Sequence, residues 1–173
     1  ATKSYTAQIL SLMLLALYLA NVKGTLKKDA FAEIIEEIQK LPTLVETVLG
    51  RMNEAEAASA VCKDRPSALF LGRGVNMPTA REGALKLKEI SYLHGPIALV
   101  EDGFPLVVIA PNDDLRKKTL PQLHDFKEEG ASIVCVATDG DKEIEEIVDY
   151  VLWIPETKDF LTPIVSVVQL QMF

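Results

Sequence analysis

The chain is 173 residues long, 49% hydrophobic and 25% charged, the balance of a soluble globular protein able to bury one domain-sized core. Its formal net charge of −7 and isoelectric point near 4.9 exclude the basic face that neutralises a phosphate backbone, so nucleic acid is not an expected partner.

The first element, residues 5–22, is apolar or small at nearly every position, the pattern of a helix enclosed on most sides by its own protein or a partner subunit. Its core, residues 9–20 (ILSLMLLALYLA), falls short of the roughly 20 apolar residues that a membrane span needs. Ser11 interrupts it and Asn21 and Lys23 follow it, so neither a membrane nor a targeting segment is expected. The chain opens on Ala1 rather than Met and reads as an excised or processed piece. Gly24 ends the helix. A second helix is predicted over residues 29–40, with Phe31, Ile34, Ile35 and Ile38 at helical spacing and Glu33, Glu36 and Glu37 on the solvated side. Pro42 is expected to close it and Thr43 to cap the next, which runs through Val45, Val48, Leu49 and Met52 towards Val61.

After Pro66 the period changes. Continuous apolar runs at residues 68–71, 106–110, 133–137 and 150–154 alternate with helical patterns at 78–92, 113–129 and 142–147, and a last helix should start near Pro163. Strands apolar on both sides are covered on both faces, which predicts a parallel sheet flanked by helices, with a short extra strand at 97–100. The expected organisation is a helical lead-in over residues 1–64 and an α/β lobe over residues 65–173. In such sheets ligands sit beyond the carboxyl ends of the strands, at the turns beginning at Gly72, Pro111 and Thr138.

Two cysteines, Cys62 and Cys135, have neither CxxC spacing nor a matching histidine pair and read as buried, reduced thiols of a cytoplasmic protein. Neither His94 nor His124 belongs to a ligand-spaced cluster, so no metal is expected.

The stretch LFLGRGVNMPTAREGALKLKEISY, residues 69–92, takes a strand through Gly72 and Gly74 into a helix with Pro78 in its first turn. Either the glycines serve a tight turn and close helix packing, or the turn's N–H groups dock an anion. The full G-x-G-x-x-G is absent, because Met77 stands where the third glycine would be, so no dinucleotide site is read here. Within the helix, Glu82, Lys86 and Glu89 fall at i, i+4 and i+7 on one face, and Lys88 points elsewhere. That spacing suits a solvated ion pair worth a few tenths of a kcal/mol. Placed in the first helix after the Gly-rich turn, a carboxylate and an ammonium three residues apart also suit proton transfer between adjacent sugar carbons, where the carboxylate removes the proton and the nearby cation stabilises the developing oxyanion. His94, in the turn His94-Gly95-Pro96, adds a side chain that titrates near neutrality, whereas His124 has no comparable company and is given no role.

The run GRG-x(3)-P-x(3)-EGALKLKEISY, then HGP-x-ALV and VVIAP, resembles the second sugar-isomerase (SIS) lobe of the glutamine-dependent glucosamine-6-phosphate synthases. The opening ATKSYTAQ resembles the segment leading into that lobe, and the resemblance covers essentially the whole chain. It implies a flavodoxin-like SIS fold and the conversion of fructose 6-phosphate and ammonia, taken from glutamine, into glucosamine 6-phosphate. It further implies that Glu89 moves the proton between C1 and C2 and that Lys86 lies beside it in the sugar site. His94 would open the furanose ring from the neighbouring subunit, in a homodimer. No cofactor is implied. The implied partners are the sugar phosphate, a first SIS lobe and a glutaminase domain of a longer parent chain.

Four departures qualify the resemblance. The family has about a dozen more residues between the ISY motif and HGP, whereas Leu93 runs straight into His94 here, so a loop is expected to be missing from the sequence as printed. The serine- and threonine-rich phosphate loop of the first lobe is absent, and so are the C-terminal tail and the glutaminase domain. The fragment alone is therefore expected to be inactive. Two rival readings are a SIS-type glucosamine-6-phosphate deaminase and a non-catalytic sugar-phosphate sensor, the latter with no need of a base at Glu89.

Overall fold

A computed structural model describes residues 2–91 and 102–173. The expected strand at 97–100, His94 and the junction between Leu93 and His94 all lie outside the described residues. Four helices come first, α1 (Thr2–Val22), α2 (Lys28–Gln39), α3 (Leu41–Leu49) and α4 (Met52–Ser59), with a 3-10 turn at Ala60–Cys62. The α/β part follows as β1 (Leu69–Gly72), α5 (Met77–Ser91), β2 (Pro105–Ile109), α6 (Arg116–Glu128), β3 (Ser132–Thr138), α7 (Lys142–Ile147), β4 (Tyr150–Ile154) and α8 (Thr162–Met172).

The four strands form one sheet in the order β1-β2-β3-β4, and every neighbouring pair is parallel. Side chains alternate across a strand, so β2 and β3 feed two cores. Val107, Ile109, Val134 and Val136 face a layer containing α3, α4 and α8. Leu106, Val108, Ile133 and Cys135 face α6 and α7. Helices on both faces are thus as the continuous apolar strands predicted.

Two helix boundaries differ from expectation. Pro42 does not close the second helix; it occupies the first turn of α3, where its missing N–H has no intrahelical partner to lose. Thr43 consequently lies inside α3 and accepts through its carbonyl from Thr47 Oγ1 at 2.9 Å, while the N-cap position is Lys40. The third helix also breaks at Gly50 and Arg51 into α3 and α4. Arg51 leaves helical geometry at φ −106°, and its guanidinium donates to both oxygens of Asp139 beyond β3, at 2.6 and 2.8 Å.

The expected enclosure of α1 is met on one side only. Ile9, Leu10 and Met13 pack against the core layer that includes α8, while Leu12, Leu15, Tyr18 and Val22 are more than half exposed.

Candidate active site

The turn between β1 and α5 is shaped by close approach. A Cβ on Gly72 would run into the backbone carbonyl of Asn76, and one on Gly74, at φ +52°, would lie 2.8 Å from Leu115 Cδ1. Tight reversal and packing account for both glycines without a ligand. Asn76 is fully buried beside them, and neither polar atom of its side chain has a hydrogen-bond partner among the described residues.

Further along α5 the helical period assembles a charged row. Lys86 Nζ lies 2.8 Å from Glu89 Oε2 and 3.4 Å from Glu82 Oε1. This is no ordinary solvated ion pair, because Lys86 is only 9% exposed. The hydrogen bond to Glu89 outweighs the cost of burial and, with the charge of Glu82, holds the ammonium above the usual lysine range, so it stays cationic near neutrality. The Glu89 side chain is half exposed, which leaves carboxylate surface open to a ligand. One turn before Glu82, the buried Thr79 places its Oγ1 3.5 Å from the hydroxyl of Tyr5, tying the start of α1 to the same helix.

Position along α5 matters. At 1.5 Å per residue, Glu89 lies about 18 Å beyond Met77, well away from the helix start at the carboxyl end of β1. The charged row is therefore separate from the strand-end turns to which the fold class directed attention.

Those turns carry polar structure of another kind. A cavity of about 230 Å³ is bordered by Asn112, Arg116, Thr138, Asp139 and Asp141. Arg116 donates to both oxygens of Asp141 at 2.8 and 2.6 Å and lies 3.0 Å from Glu143. Asp141 also accepts from the Ile144 N–H as the N-cap of α7. Burial alone would raise the Asp141 carboxyl, but Arg116 and the backbone donors overcome it and hold it below the usual range. With two carboxylates already on its one guanidinium, this cluster is a structural clamp rather than an anion receptor. Burial pushes the Cys62 thiol up to about 11 and that of Cys135 up to about 12, so neither is a nucleophile near neutrality.

Comparisons with known proteins establish the family and the fold. The family described as SIS domain matches residues 62–173. The chain belongs to the SIS family. It is 39% identical to the glutamine–fructose-6-phosphate aminotransferase (isomerizing) of Thermus thermophilus over 183 residues, and 38% identical to that of Pseudomonas putida. Each alignment takes in 99% of this chain but only 30% of the relative, so the chain spans under a third of their length. Among solved structures, the C-terminal domain of glucosamine-fructose-6-phosphate aminotransferase from Francisella tularensis superposes with a TM-score of 0.89 at 34% identity, covering 99% of this chain and 52% of that one.

Of the residues singled out in sequence, the SIS lobe brings Glu82, Lys86 and Glu89 together, and His94 lies outside the described residues. His124 is exposed on α6. The tie between Tyr5 and Thr79 was not read from sequence, although Thr79 stands three and seven residues before Glu82 and Lys86, on the same helical face. The pairing of Arg116 with Asp141 spans 25 positions and has no local signal.

Proposed function

We propose that this SIS lobe supplies the proton-transfer face of an isomerase that converts fructose 6-phosphate and ammonia into glucosamine 6-phosphate. The observation that carries the reading is the contact of Lys86 Nζ with Glu89 Oε2 on a buried lysine backed by Glu82. Glu89 takes the proton from one sugar carbon and returns it to its neighbour. Lys86, cationic beside it, stabilises the oxygen on which charge develops. His94 is assigned ring opening, from the neighbouring subunit of a homodimer. The chemistry calls on carboxylate, cation and proton donor, and on no cofactor.

The lobe works within a longer parent in this reading, with a first SIS lobe anchoring the phosphate and a glutaminase domain releasing ammonia from glutamine, in the cytoplasm. The names and lengths of the relatives support this, as does the half-exposed Glu89, which leaves one side of the charged row for other chain to cover. Residues 1–64 serve as the lead-in and 65–173 as the α/β lobe. An alignment of 183 residues to a chain of 173 needs at least ten positions where this chain has no residue, which supports a loop missing between Leu93 and His94.

The test is Glu89→Gln in the parent enzyme. Turnover to glucosamine 6-phosphate should fall roughly 10²- to 10⁴-fold, the usual loss on removing a general base, while sugar-phosphate affinity stays within about tenfold. Near-normal turnover would remove Glu89 from the role.

A further inference from the structure

Helices α5 and α6 lie on opposite faces of the sheet. The chain passes from β1 into α5, whose Ala80 joins the core shared with α8, and from β2 into α6, whose Leu123 joins the other core. Because β1 and β2 are parallel neighbours, the turns after them part and open a crevice at their carboxyl ends, where doubly wound sheets take ligands. A cavity of about 210 Å³ lies there, on the α6 side. Its floor is apolar: Val108 and Leu123 are 3% and 1% exposed, and Leu71 and Phe126 continue the wall. At its rim, Arg73 Nη2 donates to Oε1 of the exposed Gln122 at 2.6 Å.

We propose that this cavity is a binding site for a small carboxylate whose apolar body is about the size of one aromatic ring. Size, charge and polarity select that chemistry. An apolar cavity of about 150 Å³ takes benzene, so this one has room for a ring and its carboxylate. Arg51 and Arg116, at the same end of the sheet, are each held by carboxylates, whereas Arg73 has no carboxylate at ion-pair distance among the described residues. Gln122 is a neutral acceptor and engages one arm of the guanidinium, which keeps its full charge and further donors for an anion. The one hydroxyl in the wall, that of Thr119, gives its proton to the Leu115 carbonyl at 3.2 Å. The interior therefore has no side-chain donor for sugar hydroxyls or a phosphate, and the cavity is not a second seat for the sugar phosphate. It is also apart from the charged row, since Glu89 lies about 18 Å along α5 from Met77.

The test reads binding rather than turnover, so its failure leaves the role of Glu89 standing and the converse also holds. Benzoate is the probe and benzamide its neutral counterpart, each titrated into the parent enzyme and followed by saturation-transfer nuclear magnetic resonance. Benzoate should saturate with a dissociation constant of about 1 mM or below, the range open to a ligand of its size. Saturating fructose 6-phosphate should change that constant by less than about twofold, as for two uncoupled sites. Benzamide should bind at least about tenfold more weakly, because it offers Arg73 no charge. Arg73→Gln should raise the benzoate constant about tenfold or more while fructose 6-phosphate binding is unchanged. Should that variant lose its native circular dichroism, Arg73→Lys, which keeps the charge but not the fork, carries the test with a rise of about threefold or more. Four results would each overturn the proposal: no saturable benzoate binding up to about 10 mM, benzamide binding as tightly as benzoate, displacement of benzoate by fructose 6-phosphate, or a folded Arg73 variant with the wild-type constant. The first is also the result expected if another part of the parent chain fills the cavity.

Discussion

Helices α1 and α8 have nearly the same sequence character and opposite fates. Neither carries an acidic residue, and both are apolar through most of their length. Nine residues of α8, from Thr162 to Leu170, are buried, whereas six large apolar residues of α1 face solvent. The difference comes from position: α8 lies between the sheet and α3, α4 and α5, while α1 touches the core along a single arc. An apolar helix announces that it will be covered, and its sequence leaves open by what.

The heaviest cost of substitution falls in α8. Ile164, 1% exposed in the shared core, should cost about 2–5 kcal/mol when replaced by alanine, from lost transfer energy and a residual cavity. Urea unfolding measures it, and a cost under about 1 kcal/mol would mean that α8 is not the central support it is taken to be.

An intermediate effect separates apolar cover from the polar clamp on the other face of the sheet. Asp141→Asn removes a carboxylate that serves Arg116 and caps α7, and should cost about 1–3 kcal/mol at pH 7. The folded carboxyl titrates below its ordinary value of 3.8, so the stabilisation is present above that value. It is lost as pH falls through the lower folded value, and the penalty of the variant should shrink on acidification below about pH 4. A penalty unchanged between neutral and acid pH would show that packing, not charge, holds the site.

The exposed arc of α1 should respond least. Leu14→Ala, at a residue 45% exposed, should change the stability of the monomer by less than about 0.5 kcal/mol. It is read at the lowest usable protein concentration, because association would add to apparent stability. A loss as large as that of Ile164→Ala would place α1 inside the core.

The same contrast separates what was legible in the sequence from what was not. Strand β4 and helix α7 lie where the apolar runs placed them, because a strand covered on both faces leaves a continuous apolar signal. The row Glu82, Lys86 and Glu89 was equally legible, since residues three and four apart on a helix are neighbours whatever surrounds them. The burial of Lys86 was not, because it depends on tertiary neighbours. Nor was the break at Arg51, whose partner Asp139 is 88 positions away. Pro42 was misread because a proline ends one helix or starts another depending on which neighbour is packed first.

Everything proposed for this lobe's catalysis turns on Glu89 carrying the proton between C1 and C2 with Lys86 beside it. The most direct measurement is proton exchange at C1 of fructose 6-phosphate, followed by nuclear magnetic resonance in deuterated water with the parent enzyme and its Glu89→Gln variant. Deuterium is expected at C1 with the wild-type enzyme and none above background with the variant, although the variant still binds the sugar phosphate. Deuterium entering C1 at the wild-type rate in the variant would contradict it.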